Sequence, residues 1–347
     1  MQILGGNMIF KDVVHGSVDV DEPVIKELVE SKPMLRIKAI CNQGVPKKYI
    51  AGFEVDYSRL DHSAGVMLAL RRVGASLEEQ VAGLLHDVSH TAFSHMADYV
   101  IGNGVKEDYQ DSIHSRFFGK GTELYEILKS NGMDPEKISD PKNFGLLERE
   151  QPYLCADRFD STARLWAEEE GSEAVRRTLE SLIAHDGYLA FKEKDIAKDF
   201  AIRHERRVPE VPENPHRADL DIRWYIFGSA IKIAMKNGIV SKSDFDLTDA
   251  EFLKKLENTG MEQVNTLLEY LASHKGEIKY ELAEKDPKVV MYSKFRYIDP
   301  FFLKDGKLLR VSEADPDFAK RIERNRALNK GGIKLESLEG IKLPIEI

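Results

Sequence analysis

The sequence is poor in cysteine and has no long apolar run. Its two cysteines, Cys41 and Cys155, are too few and too far apart for a disulfide framework or a close-spaced metal motif. We therefore expect two buried free thiols in a reducing compartment. No apolar run approaches the roughly 18 residues that a membrane-spanning helix needs, and the N-terminus lacks the charged segment of a signal peptide. These absences predict a cytoplasmic protein that does not contact a membrane.

An excess of positive charge is also missing. The 347 residues include 50 lysines and arginines against 59 aspartates and glutamates, which gives a formal net charge of -9. Proteins that bind nucleic acid mainly by neutralising its phosphates are usually basic, so nucleic acid is not an expected partner. An acidic chain can still bind a small anion, but it then needs a local positive group or a metal ion.

Apolar periodicity predicts a mainly α-helical protein. The segment 8–20 alternates apolar and polar residues, which predicts a short β-hairpin. Helical patterns, with a break expected at Pro33, cover 22–39, 61–73, 76–88, 94–101, 112–118, 121–131, 146–170, 173–186, 219–236 and 249–273. Strand-like runs follow near the C-terminus at 288–295, 301–303 and 307–311, with a turn signal at Asp305-Gly306.

A proline-rich stretch, 206–215, has the composition of a connection between two parts of the chain. We therefore predict two domains. Residues 1–205 would form a helical core with a short N-terminal β segment. Residues 206–347 would form a smaller C-terminal region with helices and strands, an α+β region.

Histidines cluster in one part of the chain, since five of the ten fall between residues 62 and 114. His62 begins one amphipathic helix, and His86 and Asp87 end the next helix directly after an apolar run. An imidazole beside a carboxylate at a buried helix end is costly unless something satisfies both groups. A divalent metal does so, because neutral imidazole and carboxylate are both ligands. Packing of the two consecutive helices can bring His62 beside the pair.

A fourth ligand has to come from elsewhere, and Asp157 is the best candidate. It lies in a segment with an apolar helical face, three residues before Asp160 on the same side of the helix. Considered alone, this run is more typical of a solvated, salt-bridged face than of a metal site. The two histidines and Asp87 favour the interpretation as a ligand.

The ordered set of motifs resembles a known family, the HD-domain phosphohydrolases, and within it the branch of the deoxynucleoside triphosphate triphosphohydrolases. The matching text is R-x-x-H-S at 59–63, H-D-x-x-H-x-x-F-S-H at 86–95, His114, and D-R-F-D at 157–160. The opening F-K-D-V-V-H-G at 10–16 is also similar. The similarity covers about residues 8–165 well and the remainder faintly. It implies an HD-domain helical core.

The resemblance also implies a role for individual residues. One divalent metal would be held by His62, His86, Asp87 and Asp157. The residues that match the family's catalytic groups are His90, His114 and Asp98, the last as the acid that orients His114. Arg59 matches a phosphate-binding arginine. Arg164 is a second candidate for phosphate binding, with a plain salt bridge as the alternative.

The predicted function is metal-dependent hydrolysis of a nucleotide, most closely like a deoxynucleoside triphosphate triphosphohydrolase. A water activated by the metal attacks phosphorus, and a histidine assists the leaving group. The alternatives are a phosphomonoesterase or phosphodiesterase of the same superfamily, or a non-catalytic nucleotide-binding regulatory protein. Two imidazoles with two carboxylates suit Mn, Fe, Ni or Zn, and Mg less well. The resemblance further implies a homo-oligomer.

The sequence departs from that branch at positions that recognise the sugar. After the D-R-F-D motif the triphosphohydrolases continue with a Tyr and later an acid, whereas this chain has Ser161 and Leu165. Serine is too short to stack on a sugar, and leucine cannot accept a hydrogen bond. We therefore predict poor discrimination between ribose and deoxyribose, or a substrate for which that difference is irrelevant.

Two further patterns have ordinary interpretations. His185-Asp186 is a second His-Asp pair, but Gly187 follows it, so we interpret it as a helix C-terminus. The run K-F-R-Y at 294–297 alternates basic and aromatic residues. It can contact phosphate, or it can be an exposed β edge that is protected by charge.

Overall fold

The structure, a computed structural model, describes residues 2–4, 7–50, 57–102, 104–205 and 217–347. The predicted connection at 206–215 lies outside the described residues. The division into two domains after residue 205 therefore stays a prediction. In the described ranges, no helix combines the length and the apolar character that crossing a membrane requires.

Helices dominate the described residues, as predicted. They are α1 Pro23–Glu30, α2 Lys32–Ile37, α3 Arg59–Arg72, α4 Leu77–Leu85, α5 Met96–Ile101, α6 Tyr109–His114, α7 Glu123–Ser130, α8 Pro135–Ile138, α9 Ala156–Glu170, α10 Ser172–Ser181, α11 Lys194–Glu205, α12 Arg217–Lys236, α13 Asp249–Glu257, α14 Glu262–Ser273, α15 Val311–Ala314 and α16 Pro316–Gly331. The strands are β1 Gln2–Leu4, β2 Asn7–Asp12, β3 Gly16–Val20, β4 Leu182–His185, β5 Tyr188–Phe191, β6 Tyr280–Leu282, β7 Val289–Met291, β8 Phe301–Lys304, β9 Lys307–Arg310 and β10 Ile333–Leu338. A mainly α fold with an N-terminal hairpin and a small α+β C-terminal region is confirmed.

The strands form three small sheets. The first has the order β1-β2-β3, and its hairpin pairs Met8 with Val20 and Asp12 with Gly16. The second has the order β6-β10-β7 and is antiparallel. The third, β4-β5-β8-β9, joins two hairpins through the parallel pair β5 and β8. That parallel pair links the C-terminal residues directly to the part of the chain that precedes residue 206.

Two buried apolar clusters fill the interior. The first core contains side chains of β2, α1 to α4 and α9 to α11, together with Ile298, Phe302 and Phe318 from the C-terminal part. The second core surrounds α12 to α14 and includes Phe93 and Met96. Val88 belongs to the first core, so the loop 86–95 passes from one core to the other. Its polar side chains therefore sit between two packed layers.

Local sequence signals explain several element boundaries. Pro33 lies in the first turn of α2, where its missing N–H costs nothing. The helical run breaks at Ser31, and a new helix starts with Pro33 in its first turn, so the proline does mark a break in the predicted helix 22–39. Asp305 and Gly306 both have positive φ angles and form the turn between β8 and β9, which confirms the predicted turn.

Four predicted elements need correction. The helix expected over 249–273 is divided into α13 and α14, because residues 258–261 do not continue the helix. The helix expected over 146–170 begins only at Ala156, because the residues before it form turns. The helix expected over 173–186 ends at Ser181 and gives way to the β4–β5 hairpin. His185-Asp186 is therefore not a helix C-terminus. Asp186 and Gly187, with φ angles of 49° and 75°, form the hairpin turn that an Asp-Gly pair favours.

Candidate metal centre and active site

Helix α3 carries His62 into the interior. The helix begins with a capping box in which Ser58 and Asp61 satisfy each other's backbone N–H groups, so its first turn is fixed. It packs against α4 and α9. Gly65 makes the close approach to α9 possible, because a Cβ there would lie 1.9 Å from Oδ1 of Asp160. His62, one turn earlier on α3, is 1% exposed.

His86 and Asp87 follow α4 rather than ending it, because the helix stops at Leu85. Nδ1 of His86 lies 2.8 Å from the carbonyl oxygen of Gly83. Because a carbonyl oxygen only accepts, Nδ1 carries the proton and Nε2 keeps a free lone pair. Nε2 is buried and has no hydrogen-bond partner among the described residues. It lies 3.4 Å from Oδ1 of Asp87 and 3.8 Å from Oδ1 of Asp157.

His62 has a matching arrangement. Its Nδ1 lies 2.8 Å from Oδ2 of Asp160, and its Nε2 lies 3.0 Å from Oδ1 of Asp157 and 3.7 Å from Oδ2 of Asp87. The donor atoms of His62, His86 and Asp87 all lie within 4.8 Å of one another. The structure thus brings together the four residues predicted as metal ligands, His62, His86, Asp87 and Asp157, which we call the His-Asp cluster.

The donor set of the His-Asp cluster fits a divalent cation. Ligands about 2 Å from one metal lie roughly 3–4 Å from each other, which is the spacing seen here. Burial alone would lower the pKa of His62, but hydrogen bonds to Asp157 and Asp160 outweigh it and raise that pKa. The charges of Asp87 and Asp157 likewise overcome burial and raise the pKa of His86 to about 9. The cluster therefore attracts positive charge, as a proton or as a metal ion.

Arg59 is held beside the His-Asp cluster. Its Nη1 donates to Oδ2 of Asp87 at 2.8 Å, and its Nε donates to the hydroxyl of Ser94 at 2.9 Å. Burial opposes ionisation of Asp87, but His86, His90 and Arg59 outweigh it and hold the pKa of that carboxyl well below its usual range. Asp87 is therefore a carboxylate at neutral pH, and Arg59 neutralises part of its charge.

His90 and His114 flank the cluster as neutral imidazoles. Nε2 of His90 lies 3.2 Å from Oδ1 of Asp87, while its Nδ1 is buried and finds no partner in the part of the chain that the structure describes. Nδ1 of His114 lies 3.0 Å from the hydroxyl of Ser89, and its Nε2 is buried with no hydrogen-bond partner in the described ranges. Burial, and then the charge of His86, lowers the pKa of His114 to about 4. Burial also lowers the pKa of His90 well below its usual value.

Two predicted site residues have different neighbours from those expected. Asp98 does not contact His114. Its carboxylate lies 3.2 Å from Nδ1 of His95 and accepts the backbone N–H of Tyr109 at 2.8 Å, so it fixes the start of the helix that carries His114. Arg164 is 2% exposed and forms ion pairs with Asp160 and with Asp12. Its charge is balanced by these two carboxylates inside the protein. This arrangement corresponds to the salt bridge that was the alternative to phosphate binding, but the salt bridge is buried.

Several residues that hold the loop 86–95, which we call the active-site loop, do not belong to any motif recognised in the sequence. Arg36 donates from Nη2 to the carbonyl oxygens of Val88 and His90 at 2.9 and 2.7 Å. Asp249, at the start of α13, accepts the backbone N–H groups of Phe93 and Cys41 at 2.7 and 2.8 Å. No sequence signal could have linked Asp249 to this loop, since 156 positions separate it from Phe93.

Asp160 was also missed as the partner of His62, although its spacing from Asp157 was a usable signal. The two aspartates are three positions apart on α9 and share a helix face. A metal-ligating histidine usually donates its second N–H to a carboxylate. The D-x-x-D spacing therefore could have predicted the pair of Asp160 with His62.

Comparison with known proteins identifies the family. Residues 59–140 match the HD domain. The protein YdhJ of Bacillus subtilis is 32% identical over 96% of this chain and all of its own length. The metal-dependent phosphohydrolase cns2 of Cordyceps militaris is 31% identical over 78% of this chain and 79% of its own. The chain belongs to the HD-domain family of metal-dependent phosphohydrolases.

A solved structure shares the fold of most of the molecule. A phosphohydrolase from Bacteroides thetaiotaomicron superimposes with a TM-score of 0.57 over 89% of this chain and 94% of its own, at 18% identity. At that identity the similarity establishes the fold alone. As an HD-domain phosphohydrolase the protein is a hydrolase of a phosphate compound, and the His-Asp cluster lies within the matched HD domain except for Asp157, on α9.

Proposed function

We propose that His62, His86, Asp87 and Asp157 hold one divalent metal ion. The observation that carries this proposal is the pair of Nε2 lone pairs, on His62 and His86, that face two carboxylates in a buried space. Four such groups repel one another unless a cation lies between them. Two imidazoles and two carboxylates suit Mn, Fe, Ni or Zn, and Mg less well.

When bound, the ion supplies Lewis-acid chemistry, polarising a phosphoryl oxygen and acidifying water. The residues of the chain position the substrate and move protons. His114 presents a buried imidazole nitrogen within electrostatic range of His86 and Asp87, where the neutral ring can accept a proton or donate a hydrogen bond to a substrate oxygen, according to its tautomer. His90 donates to Asp87 and keeps Nδ1 free as an acceptor.

The substrate that this site fits best is a nucleotide or other small compound with a single phosphate ester. Support comes from the arginines around the His-Asp cluster. Arg59 pairs with Asp87, Arg158 with Glu148, and Arg164 with Asp160 and Asp12. A triphosphate chain brings about four negative charges, and arginines already paired with carboxylates are poorly able to neutralise them.

Triphosphohydrolase action on a nucleotide is the second candidate. The observation that favours it is the similarity of the R-x-x-H-S, H-D-x-x-H and D-R-F-D motifs to that branch. The two candidates differ in the bond that is cleaved. A monoesterase releases phosphate and leaves a nucleoside, whereas a triphosphohydrolase releases intact triphosphate from a nucleoside triphosphate.

One experiment tests the metal site and the reaction together. The purified protein is analysed for bound metals and is then supplied with nucleoside mono-, di- and triphosphates while phosphate and triphosphate release are measured. We expect one divalent metal per chain and phosphate release from monophosphates. The variants His86→Ala and Asp157→Ala should lose metal and activity, whereas His185→Ala, a histidine beside the β4–β5 turn, should retain both. Full metal occupancy in the first two variants contradicts the proposed ligand set.

A further inference from the structure

Ser89 lies in the active-site loop, between Asp87 of the His-Asp cluster and His90. Its hydroxyl lies 3.0 Å from Nδ1 of His114, which comes from α6. Ser89 is 1% exposed and His114 is 8% exposed. The His114 ring also packs against Phe118, with the ring centroids 4.9 Å apart. The hydrogen bond to Ser89 therefore joins α6 to the loop that carries the cluster, and it fixes the position of the His114 ring beside that loop.

The contact partner of Nδ1 decides the chemistry of Nε2 in His114. A neutral imidazole has one N–H and one lone pair, so a proton on one nitrogen leaves the other as an acceptor. In the described ranges the ring forms no ion pair with a carboxylate, and burial then favours its uncharged form. Asp98, the predicted partner, contacts His95 instead. A hydroxyl, which can donate as well as accept, thus takes the place of a carboxylate, which only accepts.

Hydrogen-bond accounting favours Ser89 as the donor. Among the residues that the structure describes, Nδ1 of His114 is the sole hydrogen-bond partner of the Ser89 hydroxyl. If Nδ1 donated to the hydroxyl oxygen, the hydroxyl hydrogen would be buried behind the ring without an acceptor, which is costly. If the hydroxyl donates to Nδ1, the ring proton lies on Nε2. That nitrogen is also buried without a partner in the protein, but a bound substrate can supply one.

An Nε2–H on His114 suits a phosphate substrate. The oxygens of a phosphate group accept hydrogen bonds, and negative charge increases on the leaving oxygen as its bond to phosphorus breaks. An N–H held ready beside such an oxygen stabilises that charge, whereas a nitrogen lone pair would repel it. A carboxylate in the place of Ser89 would accept the proton of Nδ1 and turn the lone pair of Nε2 toward the substrate.

We propose that Ser89 is a positioning residue that holds His114 in the tautomer with the proton on Nε2, so that the neutral ring donates a hydrogen bond to a phosphate oxygen of the substrate. This inference rests on the proposed function, because the acceptor belongs to the phosphate compound that the His-Asp cluster hydrolyses. Ser89 acts through His114 and does not itself contact the substrate.

The first test determines the tautomer and needs no turnover. Heteronuclear NMR of the zinc-loaded protein, labelled at the histidine nitrogens, shows which nitrogen of each ring carries a proton, and the spectrum of His114→Ala identifies the signals of His114. We expect a protonated Nε2 in the unaltered protein and a mixture of tautomers in Ser89→Ala. Ser229→Ala removes an equally buried serine from α12 and should leave the tautomer unchanged. A proton on Nδ1 in the unaltered protein overturns the inference.

The second test asks whether Ser89 acts through His114. We expect kcat for a nucleoside monophosphate to fall about 5- to 30-fold in Ser89→Ala, the effect of losing one hydrogen bond, with KM and metal content nearly unchanged. In the His114→Ala background the same substitution should have no further effect on kcat. Ser229→Ala should match the unaltered protein.

Two kinetic outcomes contradict the positioning role. One is an unchanged kcat in Ser89→Ala. The other is a loss of kcat by the same factor in the presence and in the absence of the His114 ring, which would mean that the serine does not act through His114. If the unaltered protein hydrolyses no phosphate compound, the proposed function fails, and the NMR result still decides whether Ser89 sets the tautomer of His114.

Discussion

Asp160 holds His62 in place: its Oδ2 lies 2.8 Å from Nδ1 of that imidazole, across 98 positions of sequence. Arg164 donates to both carboxylate oxygens of Asp160 at 3.0 Å, and its charge outweighs burial and lowers the pKa of Asp160 to about 2. A permanently charged acceptor keeps the proton of His62 on Nδ1. The other nitrogen, Nε2, is then free to bind a cation.

We predict that Asp160→Asn weakens metal binding about 10- to 100-fold, the usual effect of losing a carboxylate behind a histidine ligand. The asparagine keeps the volume but removes the charge that fixes the His62 tautomer. Metal affinity measured by competition with a chelator tests this. Asp199→Asn, on the exposed side of α11, is the control, and equal affinities in the two variants would show that Asp160 does not orient His62.

Replacing His114 by Ala should lower kcat about 10²- to 10⁴-fold and leave metal content unchanged, because its free nitrogen acts on the substrate. His90→Ala should also reduce kcat, since it removes a hydrogen bond to Asp87 as well as a free acceptor. Elemental analysis and initial rates on the same samples separate the two effects. Normal turnover in both single variants removes these histidines from the mechanism.

Gly65→Ala should destabilise the protein and release metal, although alanine normally favours a helix. The added Cβ would lie 1.9 Å from Oδ1 of Asp160 and 2.1 Å from Nη2 of Arg164, both buried. Overpacking of this kind costs about 1–3 kcal/mol. Thermal unfolding and metal content measure the two effects. Gly276→Ala should be neutral, because no described residue other than its two chain neighbours has an atom within 4 Å of the new Cβ. A stabilised, fully metallated Gly65→Ala would contradict the tight approach of α3 to α9.

The ion pair of Glu107 with Arg296 should stabilise the fold in a pH-dependent way. Burial opposes ionisation of Glu107, but Arg296, with help from His95 and Lys294, lowers its pKa from 4.5 to about 2. A carboxyl whose pKa is depressed by folding stabilises the protein above its unfolded pKa, and the contribution is lost as pH falls toward the folded value. Glu107→Gln should therefore lower the free energy of unfolding by about 1–3 kcal/mol at neutral pH.

The difference between Glu107→Gln and the unaltered protein should narrow as pH falls from about 4.5 toward 2, where both side chains become neutral. Urea unfolding at several pH values measures it. A difference that stays constant over this interval would mean that the ion pair does not set the pKa of Glu107.

The enzyme should discriminate poorly between ribonucleotides and deoxyribonucleotides. Ser161 is buried on α9, and its hydroxyl donates to the backbone carbonyl of Arg158, while Leu165 offers no polar atom. Large selectivity arises when the wrong substrate leaves a polar group of the site unpaired. Comparison of kcat/KM for matched pairs tests this. A preference above about a hundredfold, roughly 2.7 kcal/mol, would show that other residues form a sugar pocket.

The sequence alone predicted the mainly α fold, the N-terminal hairpin and the grouping of His62, His86, Asp87 and Asp157. These features depend on residue type and short spacing: apolar periodicity selects helices, and imidazole beside carboxylate has few stable uses inside a protein. The same local logic failed at 173–186, where Asp186-Gly187 forms a hairpin turn in place of a helix end.

Tertiary structure decided which partner each charged group takes. In the folded protein, Asp98 contacts His95, and Arg164 forms ion pairs with Asp160 and Asp12. Asp249 accepts a backbone N–H of the loop 86–95. Ion pairs and hydrogen bonds act over a few ångströms, and such distances between remote residues exist only once the two cores have packed. Residue chemistry therefore determined what the site contains, and packing determined how its charges are balanced.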